Sequence, residues 1–200
     1  MSYASDVAFT PTVKALQSAK GSRRAYAHME EAGSWDTRVT PELREFIAAQ
    51  TSIFIATANA DGQPYIQHRG GPAGFLRVLD DSTLGFADFA GNRQYISLGN
   101  LAENPKVHVF LIDYRTRRRV KVWGVARVVE DDAELTRRLM PTGYKARAER
   151  AFLITITAWD SNCRQHIPER HEAADVAAAL ADRDRRIAVL EEEVARLRAR

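Results

Sequence analysis

Gln67-His68-Arg69-Gly70-Gly71 and Gly91-Asn92-Arg93 are the two stretches of this chain whose residue types suit one piece of chemistry, the grip on a phosphate. A phosphate asks for forked guanidinium donors, for glycines that let backbone N–H groups come close, and for a helix N-terminus whose unpaired donors face the charge. The second stretch is read as opening a helix over 92–102, so the two together describe a pocket for a phosphorylated cofactor. A third group lies on a later strand. Residues two apart on a strand share a face, which puts Arg119, Lys121 and Trp123 together, as it does Gln67 and Arg69. A ring system could stack on Trp123 while its phosphate meets the arginines. The competing account makes 115–121 a solvated hairpin whose charges serve solubility.

Just after the last strand, Trp159, Asn162, Gln165 and His166 offer an aromatic face and several hydrogen-bonding groups, suited either to closing over a flat ligand or to capping a turn. His68 and His166 are the acid–base candidates, because imidazole titrates near neutrality. Cys163 is the one cysteine, and its type is more often a small buried residue than a reactive thiol. His28, His108 and His171 show no ligand spacing with other donors, so no metal site is expected.

The elements that must hold these residues are mostly strands. Thr10-Pro11 and Thr40-Pro41 are N-cap and first-turn signals, the first leading to a helix stopped by Gly21, the second to Leu43, Phe46 and Ile47 at helical spacing. From Ser52 the period changes to a β-branched and aromatic run that turns at Asn59-Ala60-Asp61-Gly62 into a second strand, a hairpin. Further strands are predicted over 75–79, 83–87, 107–113, 120–129 and 152–158, with a helix after Glu130-Asp131-Asp132. Six or seven mainly antiparallel strands imply a closed barrel. The expected parts are a helical arm over 1–50, a barrel over 51–168 and a terminal helix over 169–200.

That terminal helix has its own pattern. Ala173, Leu180, Ile187 and Val194 recur every seven residues, and Val176, Arg183, Leu190 and Leu197 follow each by three. Branched residues alternating with leucines, with Arg186 and Glu191, and Glu193 and Arg198, as flanking opposite charges, favour a parallel two-stranded coiled coil and hence a homodimer. The other reading is a single amphipathic helix lying on its own domain.

With 200 residues and 45% hydrophobic content, the chain can bury one core but not two large ones. A balance of 29 basic against 26 acidic residues leaves +3, too little to favour nucleic acid or a membrane surface as partner. The single cysteine rules out an internal disulfide, and the lack of a long apolar run or leader pattern makes a cytoplasmic protein the expectation.

In their order and spacing, Asp61-Gly62-Gln63-Pro64, His68-Arg69-Gly70-Gly71 with Gly74-Phe75, Gly91-Asn92-Arg93, Asn104-Pro105 and Val120-Lys121-Val122-Trp123-Gly124 resemble a known family. It is the flavin-mononucleotide (FMN)-binding split barrel of proteins related to pyridoxamine 5'-phosphate oxidase. The resemblance covers the core from Ile53 to Val129, and the segment from Trp159 to Ile167 is similar to one in bacterial flavin-nucleotide-binding relatives. It implies a six- to seven-stranded antiparallel split barrel, and a homodimer with FMN lying at the subunit interface. It also implies a flavoprotein oxidoreductase acting on a small molecule, or else a non-catalytic carrier of flavin, deazaflavin or haem. On this resemblance Gln67, His68, Arg69 and Gly70 lie along the flavin, Asn92 and Arg93 at its phosphate, and Arg119 or Lys121 at the phosphate or ring edge. Trp123, Trp159, Asn162 and Gln165 would then be flavin neighbours. The oxidases themselves carry Arg-Lys in place of Asn92-Arg93 and Arg in place of Gln67, and end in a substrate segment where this chain has the heptad helix. A substrate other than pyridoxamine phosphate is implied.

Overall fold

The computed structural model describes residues 2–33, 35–162 and 165–199, with Asn162 described only by its backbone. After a short 3-10 turn at Ala4–Val7 come α1 (Pro11–Ala19), α2 (Arg23–Glu31) and α3 (Pro41–Ala48). Then follow β1 (Ser52–Ala58), β2 (Pro64–Gly70), β3 (Arg77–Val78), β4 (Thr83–Phe89) and α4 (Ile96–Glu103). The chain continues through β5 (Lys106–Asp113), β6 (Arg118–Val129), α5 (Ala133–Leu139), β7 (Ala148–Asn162) and α6 (Ala173–Arg198).

Three of the helices start where a short polar side chain can take an orphan donor. Thr10, Thr40 and Asp132 accept from the backbone N–H groups of Val13, Leu43 and Leu135 at 3.3, 3.2 and 2.8 Å. The β1–β2 hairpin turns on Asn59, whose carbonyl accepts from Gly62 N–H at 3.0 Å and whose side chain accepts from Gln63 N–H at 2.9 Å. Gly62 there has φ +83°, the left-handed region that glycine enters without a Cβ clash.

The strands form one seven-stranded antiparallel sheet in the order β2-β1-β5-β6-β7-β4-β3. Alternation sets its inner face, with Ile53, Ile55, Val107, Val109, Leu111, Val120, Val122, Phe86, Phe152, Ile154 and Ile156 all buried. Phe86 and Phe152 stack at 5.1 Å, and Leu43, Phe46 and Ile47 of α3 join the same core. Burying each such side chain is worth about 1.5–3 kcal/mol. On the other side of β4 and β7, Leu139 of α5 packs with Ala87, Ala151 and Leu153 in a smaller cluster. Between Trp123 and Gly124 the β6–β7 register shifts by a bulge. A Cβ at Gly124 would sit 2.6 Å from the Thr155 carbonyl oxygen, so only glycine lets β6 approach β7 there.

The N-terminal arm packs on this sheet. Trp35 stacks on Trp123 at 4.8 Å, the indole N–H of Trp159 donates to the Arg38 carbonyl at 2.7 Å, and Asp36 bridges to Trp159. Buried Glu30 gathers the arm itself: it accepts from Ser5 Oγ at 2.9 Å, lies 3.3 Å from Lys14 and pairs with Arg23.

Chain contacts divide the molecule into two units, residues 1–112 with 119–163, and residues 113–118 with 164–200. In the second, Arg170 lies over the Tyr114 ring at 4.3 Å and Arg115 pairs with Asp175 at 3.8 Å, near the start of α6. No residue of α6 is buried.

Three expectations change and one helix is added. The barrel is split, as the resemblance implies, and not closed as the strand count alone suggests, because β2 and β3 end the sheet without pairing with each other. The strand over 75–79 shrinks to Arg77–Val78: Phe75 N–H closes a turn on the Pro72 carbonyl at 3.0 Å, and Phe75 and Leu76 go to the core as turn residues. The helix over 92–102 begins only at Ile96, since Arg93 and Tyr95 have φ of 59° and 56° and cannot be helical. The added helix is α2, whose polar sequence Arg-Arg-Ala-Tyr-Ala-His-Met-Glu-Glu carries little apolar period and which is held by the Glu30 contacts.

Candidate functional site

A cavity of about 280 Å³ opens at the split of the barrel, where the end of β2, the end of β4, the start of β7 and the loop into α4 converge. Gln67 and Arg69 reach it because they pair across from Ile55 and Ile53 and share their inward face. Arg69 Nε lies 2.8 Å from Asp88 Oδ1. This ion pair joins β2 to β4 where no ladder does. Asp88 is buried, and burial pushes its carboxyl above the usual range; the charges of Arg69 and Arg150 only partly pull it back. Beside it, Arg150 pairs with Glu130 at 3.2 Å and Glu149 at 3.1 Å, and covers the Tyr95 ring at 5.5 Å. Arg147 bonded to Glu149 lowers that carboxyl.

The loop before α4 forms the opposite wall. Asn92 accepts from Gln94 N–H at 3.3 Å through its side chain, an Asx turn, and two left-handed residues, Arg93 and Tyr95, aim the chain at the cavity. Non-glycine residues in that region store strain, which collects at functional sites. Tyr95 gives α4 no side-chain cap, and Ile96, Ser97 and Leu98 of its first turn line the cavity. The Ser97 hydroxyl donates to Gln67 Oε1 at 3.0 Å.

The cavity therefore brings together Gln67, His68, Arg69, Gly70, Asn92 and Arg93. His68 contributes from the edge, with its ring on Ser52 Oγ at 2.8 Å and edge-on to Phe54 at 5.6 Å. Arg119, Lys121, Trp123 and Trp159 are not among its walls. Lys121 pairs with Asp160 at 3.3 Å on the face away from Val120 and Val122, and Trp123 is held between Trp35 and His108, the latter at 4.9 Å. Burial, with Lys121 nearby, lowers the His108 imidazole. Gln165 and His166 belong to the second unit, where both are exposed and His166 has φ 62°. The Asn162 side chain and Cys163 lie outside the described residues.

Sequence reasoning missed Asp88, Tyr95, Ser97, Glu149 and Arg150. A signal existed for one of them: Asp88 is a lone acid two residues beyond Phe86 in an otherwise apolar strand, which marks an inward charge that needs a partner. Among the described residues no helix is long and apolar enough to cross a membrane, and no cluster of three metal-ligating side chains occurs.

The sequence profile of the pyridoxamine 5'-phosphate oxidase family matches residues 39–163. No curated protein sequence matches significantly. Among solved structures, HupZ of Group A Streptococcus aligns at 20% identity with a TM-score of 0.51, over 66% of this chain and 99% of that one. An FMN-binding protein from Syntrophomonas wolfei subsp. wolfei aligns at 13% identity and a TM-score of 0.46, over 73% and 97% of the two chains. Identities this low speak to the fold alone. The profile match, however, runs from the approach to α3 through the whole split barrel and covers well over half of the chain, and the protein belongs to the pyridoxamine 5'-phosphate oxidase family.

Proposed function

We propose that the protein binds FMN at the split of its barrel and uses it to pass hydride or electrons between a reduced nicotinamide or another small donor and an organic acceptor. One observation carries the reading: the uncapped first turn of α4 lines the same cavity as the guanidinium groups of Arg69 and Arg93. Unpaired helix N–H groups and forked cations are the donor set that a phosphate monoester takes. The polar and aromatic walls suit the rest of such a ligand, with Gln67, Asn92, Gln94 and Ser97 as hydrogen-bonding groups and Tyr65, Phe89 and Tyr95 as rings.

Bound FMN supplies the redox chemistry. The chain's own residues then have separable tasks. Arg93 and the α4 turn hold the phosphate, and Gln67, already fixed by Ser97, presents its amide N–H₂ along the ligand. Asp88 keeps Arg69 in place. A second copy of the chain completes the site in this reading, supplying the basic and aromatic group of Arg119, Lys121 and Trp123, with Trp159 on the neighbouring strand. Two facts support this: the cavity, at about 280 Å³, falls just short of the roughly 300–1,000 Å³ usual for small-molecule sites, and the sheet leaves Ile66 62% exposed.

A binding-only role has its own observation. Among the described residues, each acid lining the cavity is already paired with an arginine, Asp88 with Arg69 and Glu149 with Arg147 and Arg150, which leaves none of them aimed at a substrate proton. A carrier of flavin, deazaflavin or haem needs none. The test is an absorption spectrum of freshly purified protein, with the released cofactor identified by mass, followed by aerobic turnover with reduced nicotinamide. A yellow protein releasing FMN and oxidising the donor is expected. Flavin held tightly without reduction by any donor selects the carrier, and protein that is colourless and takes up no added flavin, deazaflavin or haem refutes both.

A further inference from the structure

The helix α6 carries seven large apolar side chains, Val176, Leu180, Ile187, Val189, Leu190, Val194 and Leu197, and each is at least 44% exposed. Six of the seven fall on the two heptad positions that make a seam, and only Val189 does not. The seam presents an apolar groove between Ile187, Leu190 and Val194, flanked by Glu191 and Arg198. A lone helix of 26 residues gains nothing from such a stripe in water, since helices in proteins draw most of their stability from packing an apolar face.

We infer that α6 pairs with α6 of a second copy as a parallel, in-register two-stranded coiled coil. This goes beyond the flavin reading and does not rest on it. The occupant is identified by charge. In a parallel in-register pair each residue flanking the seam on one side faces the residue five positions later on the other helix. Arg186 then meets Glu191 of the partner subunit, and Glu193 meets Arg198 of the partner subunit, so both couplings are attractive and each occurs twice by symmetry. An antiparallel pair with Ile187 opposite a second Leu190 would also join Arg186 to Glu193, but it would set Asp184 against Glu191, two like charges. The branched Ile187 and Val194 alternating with Leu190 and Leu197 favour two parallel strands on packing grounds as well. Arg183 is the one charged residue on the seam: it leans to Asp184 of its own helix at 3.5 Å, and its stem can lie along the groove while its charge reaches water.

Cysteine trapping in the full chain tests both pairing and direction. In a Cys163→Ser background, Leu180→Cys and Leu197→Cys are oxidised separately and as a mixture, with Val189→Cys, which is more exposed than either, as the control off the seam. Each seam variant alone is expected to form covalent dimers at least about tenfold more completely than the control, because parallel in-register helices place identical seam positions side by side. Cross-linking that appears only in the mixture overturns the direction, since residues 180 and 197 lie about 25 Å apart along a helix and meet only when the helices run oppositely. Trapping no better than Val189→Cys overturns the pairing itself. A second measurement does not rely on cysteines: Arg183→Leu is expected to raise the concentration-dependent melting of the helical circular dichroism signal, and a melt independent of concentration and of this change overturns the inference.

Discussion

Arg69 and Asp88 meet across the split of the barrel, where no strand ladder joins β2 to β4, and Arg93 lines the same cavity. Their roles separate experimentally. A charge-assisted contact is worth about 1.5–3 kcal/mol, so Arg93→Ala is expected to weaken FMN retention by roughly 10- to 100-fold in a fluorescence titration, with the melting temperature of the ligand-free protein unchanged. Asp88 makes a prediction about pH. Its carboxyl is raised by burial in spite of Arg69, so its contribution to stability is fully present below the unfolded value of about 3.9 and is lost as pH rises through the folded one. The stability advantage of the wild type over Asp88→Asn should therefore shrink as pH rises above about 4 in denaturant titrations. An advantage that grows instead would show that pairing with Arg69 outweighs burial.

At the scale of elements, two contacts decide how pieces meet. Glu30 ties α2 to α1 and to the N-terminal turn, and Arg23, Ser5 and Lys14 together hold its carboxyl below the usual range although burial pushes the other way. A lowered acid contributes stability above its unfolded value, about 4.3, that is lost as pH falls through the folded one. Limited proteolysis should accordingly open the arm below about pH 4 while the barrel stays protected, and Glu30→Gln should open it at neutral pH. Gly124 controls the β6–β7 contact. A Cβ there meets the Thr155 carbonyl and the Ile154 side chain, so Gly124→Val is expected to cost about 1–3 kcal/mol, read as a lower melting temperature. Unchanged melting would mean that the bulge can move.

For the molecule as a whole, binding and folding are linked. A ligand that binds only the folded form at a hundred times its dissociation constant adds about 2.7 kcal/mol, and in a chain of this size each kilocalorie moves the midpoint by roughly 2–4 °C. Added FMN is therefore expected to raise the melting temperature of cofactor-stripped protein by about 5–10 °C, and pyridoxamine phosphate to do less. If two copies share the site, the shift should shrink when the protein is diluted, whereas a site complete in one chain predicts no dependence on protein concentration.

Local chemistry made much of this readable in advance. Thr10, Thr40 and Asp132 cap helices, Asn59 to Gly62 turns a hairpin, and alternating Ile53, Ile55, Val120 and Val122 make the inner faces of strands, because each of these signals acts over a few residues. Gln67, Arg69, Asn92 and Arg93 stand out by type alone, and the fold places them around one cavity. What tertiary structure decided was who stands beside whom. It paired Arg69 with Asp88 across sheet edges that share no ladder, gave Trp123 to Trp35, tied Trp159 to Arg38, and held Arg93 and Tyr95 out of the helix their sequence suggested. Those partners lie far apart in the chain or depend on φ values that neighbouring residues alone do not dictate, so no short window of sequence contains them.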